Sequence, residues 1–283
     1  MTRTPSKTLV MTALLLASFV INLDTTLVNV ALPTLSRELG TTTSQLQWVV
    51  DAYNLVFAAL LLSAGSMSDR FGRKGMLLAG LAVFGAASFA GGYATTSNQL
   101  IAARAVMGLG AAMTFPATLS LLTGVFVQRK ERALAIGLWG ATAGMAIALG
   151  PIVGGFLLER YEWSSVFYTL GPVAAAVVAL VAVVVPRAAR SRQHRLDPLG
   201  LIVSAAFMGT LVYTIIEAPG RGWTSARSII GFAVSAVLLA AFVFSERRAA
   251  VPMLDVRRSP TRASVRPAPR CPSRSSPSSG SSS

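Results

Sequence analysis

The chain has 283 residues, 53% hydrophobic and 13% charged, which is about half the charged fraction of an ordinary soluble domain. Twenty-five Lys and Arg against eleven Asp and Glu give a net charge of +14. Alone, that balance suggests a nucleic-acid partner, but such domains carry their cations on a polar face, and this chain is too apolar to have one. The single Cys and single His exclude a disulfide framework and a multi-histidine metal site, which leaves a polytopic membrane protein.

Crossing a bilayer takes about 20 apolar residues per helix. Eight segments qualify: 9–33, 46–65, 75–94, 99–124, 134–157, 164–185, 199–217 and 228–245. They are too long and too rich in Ala, Gly, Leu and Val for strands, and their small residues suit close helix contacts in lipid. The predicted fold class is all-α: a cytoplasmic N-terminus (1–8), a six-helix bundle (9–186), a cytoplasmic loop (187–198), two more membrane helices (199–245) and a basic tail (246–283). Arg3 and Lys7 ahead of an apolar run resemble the start of a signal peptide. No small-x-small cleavage site follows, however, and seven further spans do.

Span one contains Asp24 near its middle. A carboxylate there is costly unless paired, hydrated or protonated. It is therefore either a structural acid that pairs within the bundle or a proton-binding site, because burial disfavours the charged form of any carboxyl group. At about 100° per residue, Asn22, Thr25, Thr26 and Asn29 share one face, while Asp24 points nearly opposite with Val20, Val28 and Ala31. The polar face and Asp24 cannot both line one cavity, so one of them must meet a neighbouring helix. Arg104 in span four lies at a comparable depth and is the natural partner; the alternative is an arginine that snorkels to the interface. Charges at comparable depths in spans one and four are what repeated three-helix units would give.

Span two carries Asp51 and Asn54 beside Trp48 and Tyr53. The two aromatics read as an interface belt, and Asp51 as either a cation-recognition group or a solvated acid. After this span comes GSMSDRFGRK: Gly65, Asp69, Arg70, Gly72, Arg73 and Lys74. Here glycine suits a tight turn, Asp69 is placed to cap backbone donors, and the cations stay in water. Span five holds Gly150, Pro151, Gly154 and Gly155, where proline breaks the backbone ladder and glycines allow close contact. Glu217, at the end of span seven, reads as solvated. There is no Walker loop, Gly108-Leu109-Gly110 lies within a helical run, and no Ser/His/Asp or metal constellation occurs. The chain thus reads as no enzyme, and it calls for no cofactor beyond a proton gradient.

These motifs resemble the major facilitator superfamily, and within it the fourteen-span bacterial drug:proton antiporters. Leu23 to Pro33 matches that group's first-span signature. Gly65–Lys74 matches the superfamily loop, with Met67 where Leu is usual. Leu100, Arg104, Gly108 and Gly110 match the fourth-span motif, with Met107 in place of Gln. Gly150, Pro151, Gly154 and Gly155 match the antiporter motif, with Ala146 where Gly is common. Trp48-Val-Val-Asp51-Ala-Tyr53 is similar to the branch that exports quaternary ammonium compounds. The resemblance covers residues 8 to 255. It implies a six-helix N-terminal bundle, two linker helices and a second six-helix bundle, with substrate and proton sites between the halves.

On that basis Asp24 and Arg104 are the proton-coupling candidates. Asn22, Thr25, Thr26, Asn29, Asp51 and Asn54 are the substrate candidates, for a small hydrophobic or cationic drug. Gly65–Lys74 and Gly150–Gly155 are conformational motifs that meet the second half. The implied partners are a lipid bilayer, a small-molecule substrate and the C-terminal half, with no nucleic acid. The alternative is a membrane subunit or scaffold that works only with another chain.

From Val256 to Ser283 the chain holds ten Ser, six Arg and five Pro, a composition unable to bury a core. The expectation is a disordered tail from about residue 256. It reads as the frameshift product of a GC-rich gene, consistent with 22 Arg against 3 Lys overall, on a truncated chain inactive by itself.

Cation placement orients the chain. With the N-terminus inside, fourteen Lys and Arg fall in cytoplasmic segments ahead of the tail, against four (Arg37, Arg160, Arg221 and Arg227) outside. This is the positive-inside pattern of a plasma-membrane protein. A topology reporter fused after Lys74 or Arg132 is expected to read as cytoplasmic and one after Asn98 as external; the reverse pattern rejects the orientation.

Overall fold

A computed structural model describes residues 6–186 and 198–248; the side chains of Leu62, Asp69, residues 198–201 and residues 245–248 stand outside that description. The expected loop at 187–198 therefore lies almost entirely outside the described residues, as does the expected tail from 249 onward. The described helices all belong to one unit, Met1–Met253. They are α1 (Lys7–Glu38), α2 (Thr43–Phe71), α3 (Arg73–Gly92), α4 (Ser97–Val125), α5 (Arg129–Arg160), α6 (Ser164–Val184), α7 (Pro198–Arg221) and α8 (Ala226–Arg248). All except α2 are long and apolar enough, by length and composition, to cross a membrane.

Each helix occupies a segment read from the sequence, usually with an extra turn or more. α1 runs five residues past Pro33 to Glu38. α5 continues through Pro151 to Arg160, as the span read over 134–157 requires. A proline removes only one ladder bond, and the apolar turns on both sides keep their remaining bonds. Where helices do stop, local chemistry stops them. The Thr42 hydroxyl accepts from the Gln45 N–H while the Gln45 side chain accepts from the Thr42 N–H, a reciprocal cap at the start of α2. Gly72, at φ 100°, is the one residue joining α2 to α3, a conformation that β-carbon sterics deny other residues.

The packing repeats. α1 packs on α5 as α4 packs on α2, and α3 packs on α4 as α6 packs on α1; α3 pairs with α6, and α1 meets α4. Helices 1–3 and 4–6 are therefore equivalent triplets that exchange contacts, with α1 and α4 in the middle. α7 packs on α2 and α8 on α7. Ser63 and Ser204 hydroxyls lie 3.3 Å apart across the α2–α7 contact.

Glycines set how closely these helices approach. A β-carbon on Gly108 of α4 would stand 2.5 Å from the Tyr53 carbonyl oxygen of α2, and one on Gly110 would stand 2.6 Å from the Gly80 oxygen of α3. In lipid, where apolar burial against tails gains little, such close backbone packing is what holds helices together. Gly108→Ala is therefore expected to cost about 1–3 kcal/mol through overpacking. Gly155→Ala, which meets nothing within 4 Å, should be neutral or gain up to about 1 kcal/mol from helix propensity. Denaturation in detergent measures both, and equal effects would remove the close-approach argument.

Candidate functional site

The centre of the bundle holds two charges. Asp24 is 0% exposed and Arg104 1%. Arg104 Nη1 donates to Asp24 Oδ2 at 2.6 Å, a short, charge-assisted bond. The snorkelling alternative fails on this burial. The helical geometry read from the sequence explains the pairing: Asp24 points away from the polar face of α1, together with Val20, Val28 and Ala31, all buried, and that direction faces α4.

Arg104 is held on three further sides. Its Nε donates to the Val49 carbonyl at 3.0 Å, its guanidinium lies 4.4 Å over the Tyr53 ring, and Met107 Sδ is 3.9 Å from Nη1. Asp24 Oδ1, by contrast, has no hydrogen-bond partner. A fully buried carboxylate oxygen without a donor carries an uncompensated desolvation cost.

Tyr53 is consequently no interface-belt residue. It is 3% exposed and buried beneath Arg104. An offset of five positions from Trp48 turns it onto another helix face. Trp48 itself packs on Tyr213 of α7, with ring centres 5.9 Å apart. Glu217 also differs from expectation: it is ion-paired with Arg221 at 2.9 Å, not merely solvated, because the i,i+4 spacing brings the two together on one helix face.

The polar face of α1 splits between several environments. Asn22 Nδ2 donates to the Ser18 carbonyl at 2.8 Å, and Thr25 Oγ1 to the Asn22 carbonyl at 2.7 Å, both within α1. Thr26 Oγ1 donates to Leu23 O at 2.8 Å and to Ala146 O of α5 at 3.1 Å. Asn29 is exposed, Asp51 is half-buried and Asn54 is exposed on α2. Of the six substrate candidates, Thr26 is the one whose hydrogen bond here reaches another helix.

The motif residues divide similarly. Gly150 packs against the Thr26 side chain, and Gly154 would place a β-carbon 3.2 Å from Val30 Cβ, so both serve the α1–α5 contact; Gly155 faces open space. At the α2–α3 turn, Arg73 Nη1 donates to Ser120 O at 3.3 Å, inside the C-terminal part of α4, and Lys74 Nζ donates to Ala182 O at 2.8 Å, a favourable place for a cation in the last turn of α6. Arg70 lies 5.8 Å from the Phe71 ring, and a β-carbon on Gly65 would approach Pro116 at 3.9 Å. The capping expected of Asp69 concerns a side chain outside those described.

One network escaped the sequence reading. Thr142 of α5 donates to Ser18 Oγ at 3.2 Å, and Trp139 Nε1 donates to Thr118 Oγ1 of α4 at 3.2 Å. The available signal was weak: Ser18 and Asn22 lie one turn apart on α1, and Trp139 and Thr142 lie three residues apart on α5.

Equivalent helix triplets packed around an internal charge pair are the repeat architecture of a polytopic membrane bundle. The chain belongs to the Major Facilitator Superfamily, which it matches over residues 14–265, beyond the limit of 255 expected from its motifs. It is 39% identical over 256 residues to the multidrug resistance protein Stp of Mycobacterium tuberculosis, an alignment covering 90% of this chain and 47% of Stp. It is 37% identical over 256 residues to the multidrug efflux pump LfrA of Mycolicibacterium smegmatis, covering 90% and 51%. With the methyl viologen resistance protein SmvA of Salmonella typhimurium it shares 36% over 239 residues, covering 83% and 48%. The chain spans about half the length of these relatives. Among solved structures, the peptide transporter POT in complex with sulfate aligns with TM-score 0.63 at 15% identity, over 87% of this chain and 53% of POT. The human organic anion transporter MFSD10 aligns with TM-score 0.60 at 14% identity, over 76% and 56%. The family and these relatives are transporters rather than enzymes, and the chain is a multi-pass membrane protein.

Removing one partner of a buried pair leaves the other charge uncompensated, so Arg104→Met is expected to cost about 3–5 kcal/mol. Adding Asp24→Asn to that variant should recover most of the loss. Unfolding of both variants in detergent tests the coupling; additive losses would show that the two residues do not stabilise each other.

Proposed function

We propose that this bundle is the N-terminal half of a proton-coupled exporter of small hydrophobic or cationic drugs. In this reading the N-terminus is cytoplasmic, Asp24 is the proton-binding group and Arg104 is its positioning partner. The observation that carries the reading is the unequal treatment of the two Asp24 oxygens: Oδ2 is held by Arg104 while Oδ1 has no partner. An acceptor that is buried and unsatisfied is an energetically favourable place for a proton. Protonation there neutralises the carboxylate and weakens its hold on Arg104, and Arg104 is itself tied to α2 through Val49 and Tyr53. Loading a proton on α1 thereby alters a contact between α4 and α2.

Efflux names among the relatives support the drug-export part of the reading, and the positive-inside count supports the orientation. Asp51 and Asn54 of α2 and Asn29 of α1 lie toward the outer ends of their helices in this orientation and remain accessible, which suits binding and release of an exported substrate, with Asp51 offering a carboxylate to a cation. The activity belongs to a protein in which a second bundle faces this one, since alternating access rocks one repeat against another. The conformational motifs at Gly65–Lys74 and Gly150–Gly155 are assigned to that movement.

In a version joined to a second six-helix half, Asp24→Asn should abolish proton-driven efflux while membrane insertion is unchanged. The measurement is drug extrusion from inverted vesicles with an imposed pH gradient. Undiminished gradient-driven transport by a correctly inserted variant would falsify the proton-site role.

A further inference from the structure

Two recesses lie along one face of α6, and they meet. The first opens where α5 ends and α6 begins. It is a cleft of about 630 Å³ whose lining includes Glu38 of α1, Glu159 and Arg160 of α5, Glu162 of the turn, and Ser165 and Tyr168 of α6. The second is a groove of about 460 Å³ between α3 and α6, lined by apolar residues alone. Its floor is a glycine contact between the two helices: a β-carbon on Gly171 would stand 3.3 Å from the Gly85 oxygen. Its rim is Ala82 and Ala86 of α3 with Pro172 and Ala175 of α6, all exposed. Ser165, Tyr168, Pro172, Ala175 and Val178 recur at the three- and four-residue spacing that keeps to one helix face. Tyr168 of the cleft packs edge-on against Phe89 of the groove, with ring centres 5.5 Å apart, so the one recess runs into the other.

Depth and chemistry divide these recesses as a bilayer divides a phospholipid. From Leu81 to Phe89 the groove follows α3 for about 12 Å, close to the depth of about 15 Å of one leaflet. Phe89 lies three positions from the end of α3 at Gly92, so the groove runs from just below one membrane face to near the midplane. Phe89, Tyr93 and Tyr168 pack edge-on against one another with ring centres 5.0 to 5.5 Å apart, a cluster of the kind that sits at the boundary between headgroups and hydrocarbon. Beyond it lies the cleft, with three carboxylates and one arginine. Among the described residues none of the three carboxylates is in an ion pair, and Arg160 is turned onto the Phe156 ring at 4.2 Å. The Ser165 hydroxyl is buried there without a hydrogen-bond partner. The cleft therefore offers acceptors to a small cation that carries N–H donors, and it repels a net negative group.

We propose that this face of α3 and α6 seats one phospholipid whose headgroup carries a primary ammonium, with an acyl chain in the groove and the ammonium among Glu38, Glu159 and Glu162. An ammonium is a compact charge with three donors, which suits a cleft of carboxylates. A choline headgroup has the same charge and no donor, and a glycerol headgroup leaves the phosphate charge unbalanced. The depth of the groove also selects a lipid chain over a helix from a second copy. Such a helix would cross the whole core of about 30 Å, whereas the groove ends near the midplane. The seat requires only that the chain lies in a membrane, and it depends on neither proton coupling nor the choice of cytoplasmic face. In the orientation proposed above its leaflet is the outer one.

The test is native mass spectrometry of the detergent-solubilised 283-residue chain titrated with dioleoyl phosphatidylethanolamine, phosphatidylcholine or phosphatidylglycerol. One phosphatidylethanolamine should be held about tenfold more tightly than either of the others, the effect expected of charge-assisted hydrogen bonds. Ala86→Phe fills the groove from an exposed position and should weaken phosphatidylethanolamine about tenfold by displacing its chain. The double variant Glu159→Gln, Glu162→Gln leaves the groove open and should bring phosphatidylethanolamine to within about twofold of phosphatidylcholine. Both variants alter exposed side chains, and matched unfolding midpoints check that the fold is kept. Equal retention of the three lipids by the unaltered chain would overturn the proposal. So would full retention by Ala86→Phe, or an undiminished headgroup preference in the double variant. Retention of dodecylammonium with no bound phospholipid would overturn it in favour of an amphiphilic substrate. No pH gradient and no second half enters the measurement, so failure of the export reading would leave this result standing, and failure here would leave the transport result standing.

Discussion

Two unit charges removed from water are the costliest feature of this bundle, and the arrangement of its central helices follows from how that cost is met. Desolvating a carboxylate and a guanidinium costs several kcal/mol for each ion even after relaxation, and good geometry is needed to offset it. The 2.6 Å contact between Arg104 and Asp24 supplies the Coulomb part. The Val49 carbonyl and the Tyr53 ring supply the rest of the guanidinium's surroundings. All of these partners except Asp24 lie on α2, so one side chain of α4 fixes α1 and α2 together.

That arrangement requires short interhelical distances, which the glycines provide. Gly108 lies one turn beyond Arg104 on α4, and the Tyr53 backbone sits where its β-carbon would be. A side chain there would push α2 away and lift the Tyr53 ring off the guanidinium. The same logic holds between α1 and α5, where Gly150 and Gly154 accept Thr26 and Val30. Residues that look like separate motifs in the sequence are thus one mechanical unit: the glycines set the spacing, and the spacing sets whether the charges can meet.

Much of this was legible before any coordinates, for identifiable reasons. Helix count follows from the bilayer's demand for about 20 apolar residues per span. The direction of Asp24 follows from helical periodicity alone, since rotation fixes which residues share its face. Depth matching then selects Arg104, because few other charges lie within the spans. What was illegible depends on contacts between faces that no period encodes. Tyr53 reads as a belt aromatic because a tyrosine near a span end usually is one; only the closeness of α4 at Gly108 turns it into a ring beneath a guanidinium. The Ser18–Thr142 and Trp139–Thr118 bonds join residues that are unremarkable singly. Glu217 was misread because its Arg221 partner lies just past the end of the assigned apolar run.

The internal repeat gives the charge pair a significance that burial alone does not. Helices 1–3 and 4–6 exchange equivalent contacts, and α1 and α4 are the equivalent members that meet each other across the middle. Asp24 belongs to one triplet and Arg104 to the other, so the pair sits on the contact that the repeat relates to itself. Opposite charges from the two triplets make the contact attractive and leave one oxygen over, because the guanidinium's backbone hydrogen bond and ring contact are directed at α2 and not at Oδ1. A fully satisfied pair would simply weld the triplets together. A pair with one unsatisfied acceptor can be changed by a single proton, and the energy of that change is felt at a junction shared by both triplets. In the proton-coupled reading proposed above, stabilising the bundle and making it responsive therefore fall to the same two side chains.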